Sequence, residues 1–527
     1  MKKELVRVLA LAGALAPLAA SIAAGPAGQA APAVAAKARP LPLRDVCLTG
    51  GPLKQAQDQN GRYLLSLSVD RMMAFLRQAA GLEPKAPGYG GWDGADRQLT
   101  GHIAGHYLSG VSLMFAATGE ARFKRRAEAL VAELAAVQAK QGDGYIGAQT
   151  DRDKTPGKAL YGQVAAGDIR SAGFDLNGMW SPWYVQHKIF AGLRDAYRFT
   201  GDGEALEVEK RFAAWAESVL AGLDEAQVQK MLGTEFGGMN EVLADLYADT
   251  GDARWLRLSD RFEHRAVVEP LARGEDILRG KHGNTQVPKL LGSLSRFVAT
   301  GGEADGAAAK FFWDRVALHH SFATGGHGRN EYFGEPDALG DMIEGRTAET
   351  CNVYNMIKFA RALFALEPDI RYADFHERAL FNHILASQDP QDGWACYMVP
   401  VGRGVQHEYE RNMLDGGFTC CVGSSMESHA LHGHGLYYES GDKLWVNLYA
   451  PSTAQWPAAG VKLDMQTDFP AGESATLQLT VDSPQEFTIA LRRPFWAGAG
   501  WSVKINGEAL AVESPAAARS ADGDARR

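Results

Sequence analysis

The stretch Phe199–Leu220 reads FTGDGEALEVEKRFAAWAESVL, and its punctuation recurs. The other copies are ATGEARFKRRAEALVAEL at Ala117–Leu134, DTGDARWLRLSDRFEHRAVV at Asp249–Val268 and ATGGEADGAAAKFFWDRVALHHSF at Ala299–Phe322. Each follows an apolar-periodic run, breaks at Thr-Gly and starts another amphipathic run, which is how a helix, a tight turn and a returning helix are written. The last three copies stand roughly fifty residues apart, a repeat length that suits stacked helical hairpins. A fifth copy, marked by proline, is FALEPDIRYADFHERALFNHIL at Phe364–Leu385. Five or six hairpins are expected. Closed into a ring they give an (α/α)6 toroid; left open they give a solenoid.

From about Gly441 the period changes. KLWVNLYA, ATLQLTV, EFTIALRR and WSVKING alternate apolar and polar residues over short runs bounded by turn formers, the signature of strands. The expected architecture is mainly α, with the toroid over residues 37–440 followed by a small antiparallel β-sandwich over 441–510. Four or five strands are few for a complete sandwich, and residues 511–527 read as a disordered tail.

The 527-residue chain is 46% apolar and 22% charged, a globular composition with ample core, and its formal net charge of −9 contains no basic block. Nucleic acid is therefore excluded as a partner. Lys2, Lys3 and Arg7 precede an apolar run from Val8 to Ala24 and Ala/Pro-rich sequence to Ala36. Residues 1–36 are thus expected to be a secretory leader, and the mature protein to be periplasmic or extracellular with no membrane anchor. Oligomeric state is left open.

Export makes the cysteines informative. Cys47, Cys351, Cys396, Cys420 and Cys421 are odd in number, which is awkward for a disulfide framework. Adjacent residues such as Cys420 and Cys421 rarely meet the geometry of a mutual disulfide, but they can hold a metal ion from one short loop. In RTAETCNVYNMIKFARALF, Glu349 and Cys351 alternate by two, so an extended segment points both to one side. Glu349, Cys351, Cys420 and Cys421 together make a complete tetrahedral set for Zn2+. The competing reading is a pair of buried structural cysteines beside an unrelated glutamate. A four-ligand site is normally structural, yet zinc also favours the nucleophilic thiolate, and spacing alone does not choose.

Other polar and aromatic residues lie at the expected helix ends: Trp92 in YGGWD, His102 and His106 in GHIAGHYLSG, His187 in SPWYVQHK, Glu241 in GGMNE, and His282 and Gln286 in KHGNTQVPK. In a toroid such ends converge on one mouth, where they would bind a polyhydroxylated ligand. Taken singly, each reads more readily as a satisfied core or cap residue than as a ligand contact. Ile103 stands where HExxH needs its glutamate, so the two histidines do not mark a metalloprotease.

These stretches, with DVCLTGGPLKQAQDQN, TGGHGRNEYF and FTCCVGSSMESHALHG in the same order, resemble the zinc-thiolate β-L-arabinofuranosidases of glycoside hydrolase families 127 and 146. The wording TAETCNVYNM looks closer to family 146. The resemblance implies a retaining hydrolase of terminal β-linked L-arabinofuranose, acting on plant-type arabinose-containing glycans or oligosaccharides. It implies zinc on Glu349, Cys351, Cys420 and Cys421, with Cys420 as nucleophile. It matches the acid/base to Glu331, with Glu335 as the neighbouring alternative, and His187 and His282 to sugar contacts. The acid/base is expected to be partly desolvated, with a raised pKa. Ser425, His432 and His434 depart from the family wording, and family members carry more β structure beyond WSVKINGEAL. Two rival readings stay open: a glycosidase for another sugar with a purely structural zinc and carboxylates such as Glu331 and Glu241 doing the chemistry, and a glycan-binding pseudoenzyme.

Overall fold

The computed structural model describes residues 6–8, 28–410 and 417–511. Most of the expected leader and nearly all of the expected tail lie outside the described residues. Among the described residues no helix is long and apolar enough to cross a membrane.

The Thr-Gly copies turn as their sequence dictates. Thr118, Thr200, Thr250 and Thr300 each donate the hydroxyl to the carbonyl four residues back, at 2.7 to 2.8 Å. The glycine that follows takes φ between 70° and 77° at all four corners, a left-handed conformation that costs other residues a Cβ clash. Asp202 and Asp252 then accept the amides of Glu204 and Arg254, capping the returning helices. At the fifth corner Asp369 caps Arg371 in the same way.

Six helices form the inner ring: α1 (His102–Thr118), α2 (Pro182–Asp195), α3 (Met239–Thr250), α4 (Gly283–Thr300), α5 (Thr350–Leu366) and α6 (Cys420–Ser428). Each packs on the next, and α6 packs on α1, so the ring is closed. Ala121–Gln141, Gly203–Leu220, Ala253–Arg261, Glu303–Arg315 and Ile370–Ala379 return outside the first five. The sixth position is supported from the other end of the chain: Gly51–Ser66 packs on α1, and its Asn60 amide donates to the Met426 carbonyl at 2.9 Å. Inner helices are buried nearly all round, as in His102–Met114, and this marks a helix enclosed by neighbours rather than one with a solvent face. The fold is therefore the expected toroid, with a small β-rich part after it.

That β part differs from expectation in two ways. One sheet has the order Val6–Val8, Phe487–Leu491, Lys443–Val446, Tyr437–Ser440, Arg39–Pro40, and the other Ala475–Val481, Val461–Thr467, Ser452–Trp456, Val46–Leu48. Arg39–Pro40 and Val46–Leu48, from before the first helix, thus complete both sheets. Moreover, Phe487–Leu491 runs parallel to Lys443–Val446, so the first sheet is mixed and not antiparallel. After Val446 the chain builds the second sheet and then returns. Alternation reports which face a residue takes but not the direction of a neighbouring strand. Leu444, Trp456, Leu463 and Ile489 share one apolar core with Leu290, Phe312 and Phe359 of the helices, which anchors the ring on the sandwich.

Candidate active site

The starts of two neighbouring inner helices meet at one point. Glu349 is the residue before α5 and Cys351 lies in its first turn, while Cys420 and Cys421 open α6 behind Thr419, whose hydroxyl accepts the Val422 amide. The pairs therefore do not lie in an extended segment and a loop. Glu349 and Cys351 come together because the chain bends from extended into helical across Thr350. All four side chains are buried, and their ligating atoms lie within 4.8 Å of one another. Cys421 Sγ is 3.3 Å from Cys351 Sγ and 4.0 Å from Cys420 Sγ, and Cys420 Sγ is 3.7 Å from Glu349 Oε1. None of the cysteines is in a disulfide.

Burial, then Cys420, Glu331 and Glu235, push the Glu349 carboxyl well above its ordinary range. The Cys420 thiol is pushed up by its hydrogen bond with Cys351, and the Cys421 thiol by burial and by both other thiols. Cys351 moves the other way, to about 7: burial raises it, but hydrogen bonds from Cys420, Cys421 and Ser424 outweigh that. Four crowded acids ionise together only with a cation among them. Tetrahedral thiolate bonds of about 2.3 Å place sulfurs about 3.8 Å apart. The observed separations of 3.3 and 4.0 Å bracket that value. Glu349 Oε2 is also buried with no partner. The donor set fits a metal ion, and the positive ends of both helix dipoles favour anions at the same spot.

Glu331 is mounted separately. Arg329 and Tyr332 exchange two backbone hydrogen bonds at 3.0 Å, and the residues between them, Asn330 and Glu331, take φ of 48° and 73°. This is a two-residue hairpin turn of the type that favours Asn-Gly; a glutamate at its second position is strained and persists because the surroundings fix it. The Gly283 amide donates to the Glu331 carbonyl at 2.6 Å, and the His282 ring lies 3.1 Å from Glu331 Oε2. The Tyr397 hydroxyl donates to the Glu331 carboxylate and lies 3.7 Å from Cys420 Sγ, bridging the hairpin to the cysteines. Burial raises the Glu331 carboxyl, but His282 and Tyr397 outweigh it and hold the group below its ordinary range. The raised pKa expected for this residue is thus absent in the free site. Glu335 is half exposed and ion-paired to Arg279 at 2.5 Å.

The remaining expected residues separate into four groups. Trp92 stands edge-on to Trp180 at 4.9 Å and to Tyr397 at 6.0 Å, on the wall of the site. His187 and Glu241 meet across Gly238, where an added Cβ would lie 2.9 Å from His187 Nε2 and 3.1 Å from Glu241 Oε2. Glu241 is paired to Lys358 at 2.6 Å, and burial lowers the His187 ring well below its usual range, so it is neutral. Gln286 is buried and donates to the His282 carbonyl at 3.1 Å. His102 and His106, expected at the mouth, are fully buried instead. His106 contacts Glu427 Oε1 at 2.5 Å through Nδ1 and the Tyr184 hydroxyl at 3.1 Å through Nε2, which leaves it no atom for a sugar. Helical spacing put both histidines on α1 but not on a face open to solvent.

A model of the β-L-arabinofuranosidase GH127 catalytic domain matches residues 45–434, and one of the GH127 middle domain matches 443–518. The chain belongs to the GH127 β-L-arabinofuranosidase family. Among its relatives, the non-reducing end β-L-arabinofuranosidase of Bifidobacterium longum subsp. longum is 25% identical over 423 residues. That match covers 70% of this chain and 61% of the relative, so the chain spans under two thirds of its length. Two solved structures share the fold. The GH127 β-arabinofuranosidase BT3674 has a TM-score of 0.69 at 18% identity, covering 91% of this chain and 77% of the other. The GH127 β-L-arabinofuranosidase Ara127N of Geobacillus stearothermophilus T6 has a TM-score of 0.67 at 22% identity, covering 88% and 77%.

Within this GH127 chain, sequence reasoning missed Tyr397 and Glu235. Tyr397 reaches the site because its strand-like segment runs beside the start of α5, with the Thr350 amide donating to the Tyr397 carbonyl at 2.9 Å. No local pattern in WACYMVP announces that contact. Glu235 is raised by burial and lies in the field of His282, Lys289 and Lys188. Only the neighbouring GGMNE wording hinted at a site there.

Proposed function

We propose that the protein is a retaining glycoside hydrolase that releases terminal β-linked L-arabinofuranose, with Cys420 as nucleophile and Glu331 as acid/base. The observation that carries this reading is the cluster of three thiols and one carboxyl at the joined starts of α5 and α6, linked through Tyr397 to the Glu331 carboxylate. Zinc is the ion this donor set favours, on Glu349, Cys351, Cys420 and Cys421. A bound zinc ion would keep the Cys420 sulfur anionic inside a buried site.

In the first half-reaction the Cys420 sulfur bonds the anomeric carbon as the glycosidic C–O bond breaks, and Glu331 gives its proton to the leaving oxygen. A thioglycosyl enzyme results, with a thiolate in the role that a second carboxylate plays in most retaining glycosidases. In the second half, Glu331 takes a proton from water, the water oxygen bonds the anomeric carbon and the C–S bond breaks. His282 and Tyr397 hold free Glu331 ionised, the state that this second step needs. For the first step the sugar must take over one of those two hydrogen bonds so that the proton returns to the carboxyl.

The substrates proposed are plant-type arabinose-containing glycans or oligosaccharides, and export is supported by the charged, apolar and small-residue order of the N-terminus. The wording TAETCNVYNM supports closeness to family 146. The test is metal analysis of the purified protein together with hydrolysis of an aryl β-L-arabinofuranoside and mass mapping after an arabinofuranosyl-configured electrophile. Expected are one zinc per chain, label on Cys420, and at least a ~10⁴-fold loss of turnover for Cys420→Ser. Full turnover by Cys420→Ser would refute the thiolate mechanism. Release of a different sugar would favour the structural-zinc reading, and a zinc-loaded protein that binds arabinofuranoside without cleaving it would favour a pseudoenzyme.

A further inference from the structure

Exposure rises along one line through the site. Cys421 is 0% and Cys420 8% exposed, the Glu331 side chain is 22% exposed, and Tyr332 reaches 42%. The cysteines close the inner end, so a sugar at Cys420 has its ring at the blind end and its linked group on the Glu331 side, where the leaving oxygen must meet the acid. His282 borders that side of the site, its ring lying 3.1 Å from Glu331 Oε2.

Two aromatic rings flank this exit. Tyr332, next to Glu331 in the same two-residue hairpin, stands edge-on to the His282 ring with centroids 5.2 Å apart. Phe174 stands edge-on to the same ring, also at 5.2 Å. Phe174 comes from a small three-stranded sheet, Ser171–Ala172, Asp175–Leu176 and Met179–Trp180, inserted just before α2. Its turn is tied down by the Glu235 amide, which donates to the Gly173 carbonyl at 3.2 Å. Tyr332 is held by its backbone bonds to Arg329 and by a bridge to His282. The backbone carrying each ring is therefore held before any ligand arrives, and neither ring is fully buried. A large aromatic ring beside a polar site gains free energy by covering the apolar face of a sugar.

We propose that Phe174 and Tyr332 form the leaving-group subsite and select for a second sugar ring attached to the arabinofuranose. The proposal rests on the arabinofuranosidase reading and deepens it. The two rings set specificity and take no part in bond breaking; a substrate whose leaving group is only methanol reaches neither of them.

The test compares kcat/KM on a β-L-arabinofuranosyl disaccharide with kcat/KM on methyl β-L-arabinofuranoside, for the wild type, Phe174→Ala, Tyr332→Ala and Tyr332→Phe. Each alanine variant is expected to lose about fivefold to tenfold more on the disaccharide than on the methyl glycoside, mainly through KM, and Tyr332→Phe is expected to restore the wild-type ratio because it keeps the ring. Equal losses on both substrates would mean that the rings only hold His282 and Glu331, and would overturn the assignment, as would no loss on either. If an alanine variant folds poorly, Phe174→Leu and Tyr332→Leu, which keep bulk but lose the aromatic face, carry the same comparison, with Tyr332→Phe as the control that should keep the wild-type ratio. A wild type inert on both substrates would overturn the underlying activity and the subsite with it, whereas an active wild type with unchanged variant ratios would overturn the subsite alone.

Discussion

Two buried polar groups sit on the same helices and behave in opposite ways. At the starts of α5 and α6 are Cys351, Cys420 and Cys421 with Glu349. One to two turns further along, Tyr354 of α5 and Glu427 of α6 meet His106 of α1, which in turn meets Tyr184 of α2. In the deeper group every acceptor has a donor: Glu427 takes hydrogen bonds from Tyr354 and from His106, and it is held at about 2 despite burial. Burial lowers His106 to about 4, so the contact at neutral pH joins an anion to a neutral ring rather than two charges. In the upper group the atoms are all acidic, and Glu349 Oε2 has no partner. A saturated group braces the ring, while an unsaturated one is left to complete itself with a ligand.

The largest effect should separate the two groups directly. Glu427→Ala removes the acceptor at the centre of the deeper group, strands the Tyr354 and His106 donors, and should cost about 2–5 kcal/mol in denaturant unfolding, whether or not metal is present. Cys421→Ala should leave the metal-free protein within about 1 kcal/mol of wild type, yet abolish the rise in Tm that added Zn2+ gives the wild type. If both variants lost stability equally without metal, the distinction between the groups would fail.

A smaller effect concerns pH. The folded pKa of Glu427, about 2, lies below the ordinary 4.5, so its contribution is fully present above about pH 4.5 and is lost as pH falls through about 2. The stability gap between wild type and Glu427→Gln should therefore be narrower at pH 3 than at pH 7, as read by urea midpoints at the two pH values. A gap that widened in acid would show that Glu427 is not the ionised partner.

The smallest effect is a control that touches neither group. Gly201, at φ 77° with open space around it, closes one corner of the ring. Gly201→Ala should cost about 1–2 kcal/mol from backbone strain alone and leave zinc binding unchanged. Loss of metal in this variant would mean that the site reports general damage to the fold.

The legible parts were local. Thr-Gly corners and apolar periodicity each depend on residues within one or two turns, and they delivered the hairpins at their observed places. The four-residue cluster was legible as a donor set, but the local shape assigned to it was not: Glu349 and Cys351 straddle a helix start, because the bend at Thr350 follows from packing against the segment around Tyr397. His102 and His106 carried the same spacing signal as a site and turned out to be interior, since α1 is enclosed on every side by α2, α6 and its outer partner. The first sheet's parallel pair was likewise hidden, because its strands lie some forty residues apart with the second sheet between them.

By itself, then, the order of residues determined where the chain turns, which runs are helix or strand, and which side chains are able to hold a metal ion, all properties settled by near neighbours. Only the tertiary structure decided that the ring closes, that Tyr397 bridges Cys420 and Glu331, and that Asn330 and Glu331 share a strained turn beside His282. Those contacts join residues far apart in the chain, and their free energy depends on what surrounds each atom after packing, which no local pattern encodes.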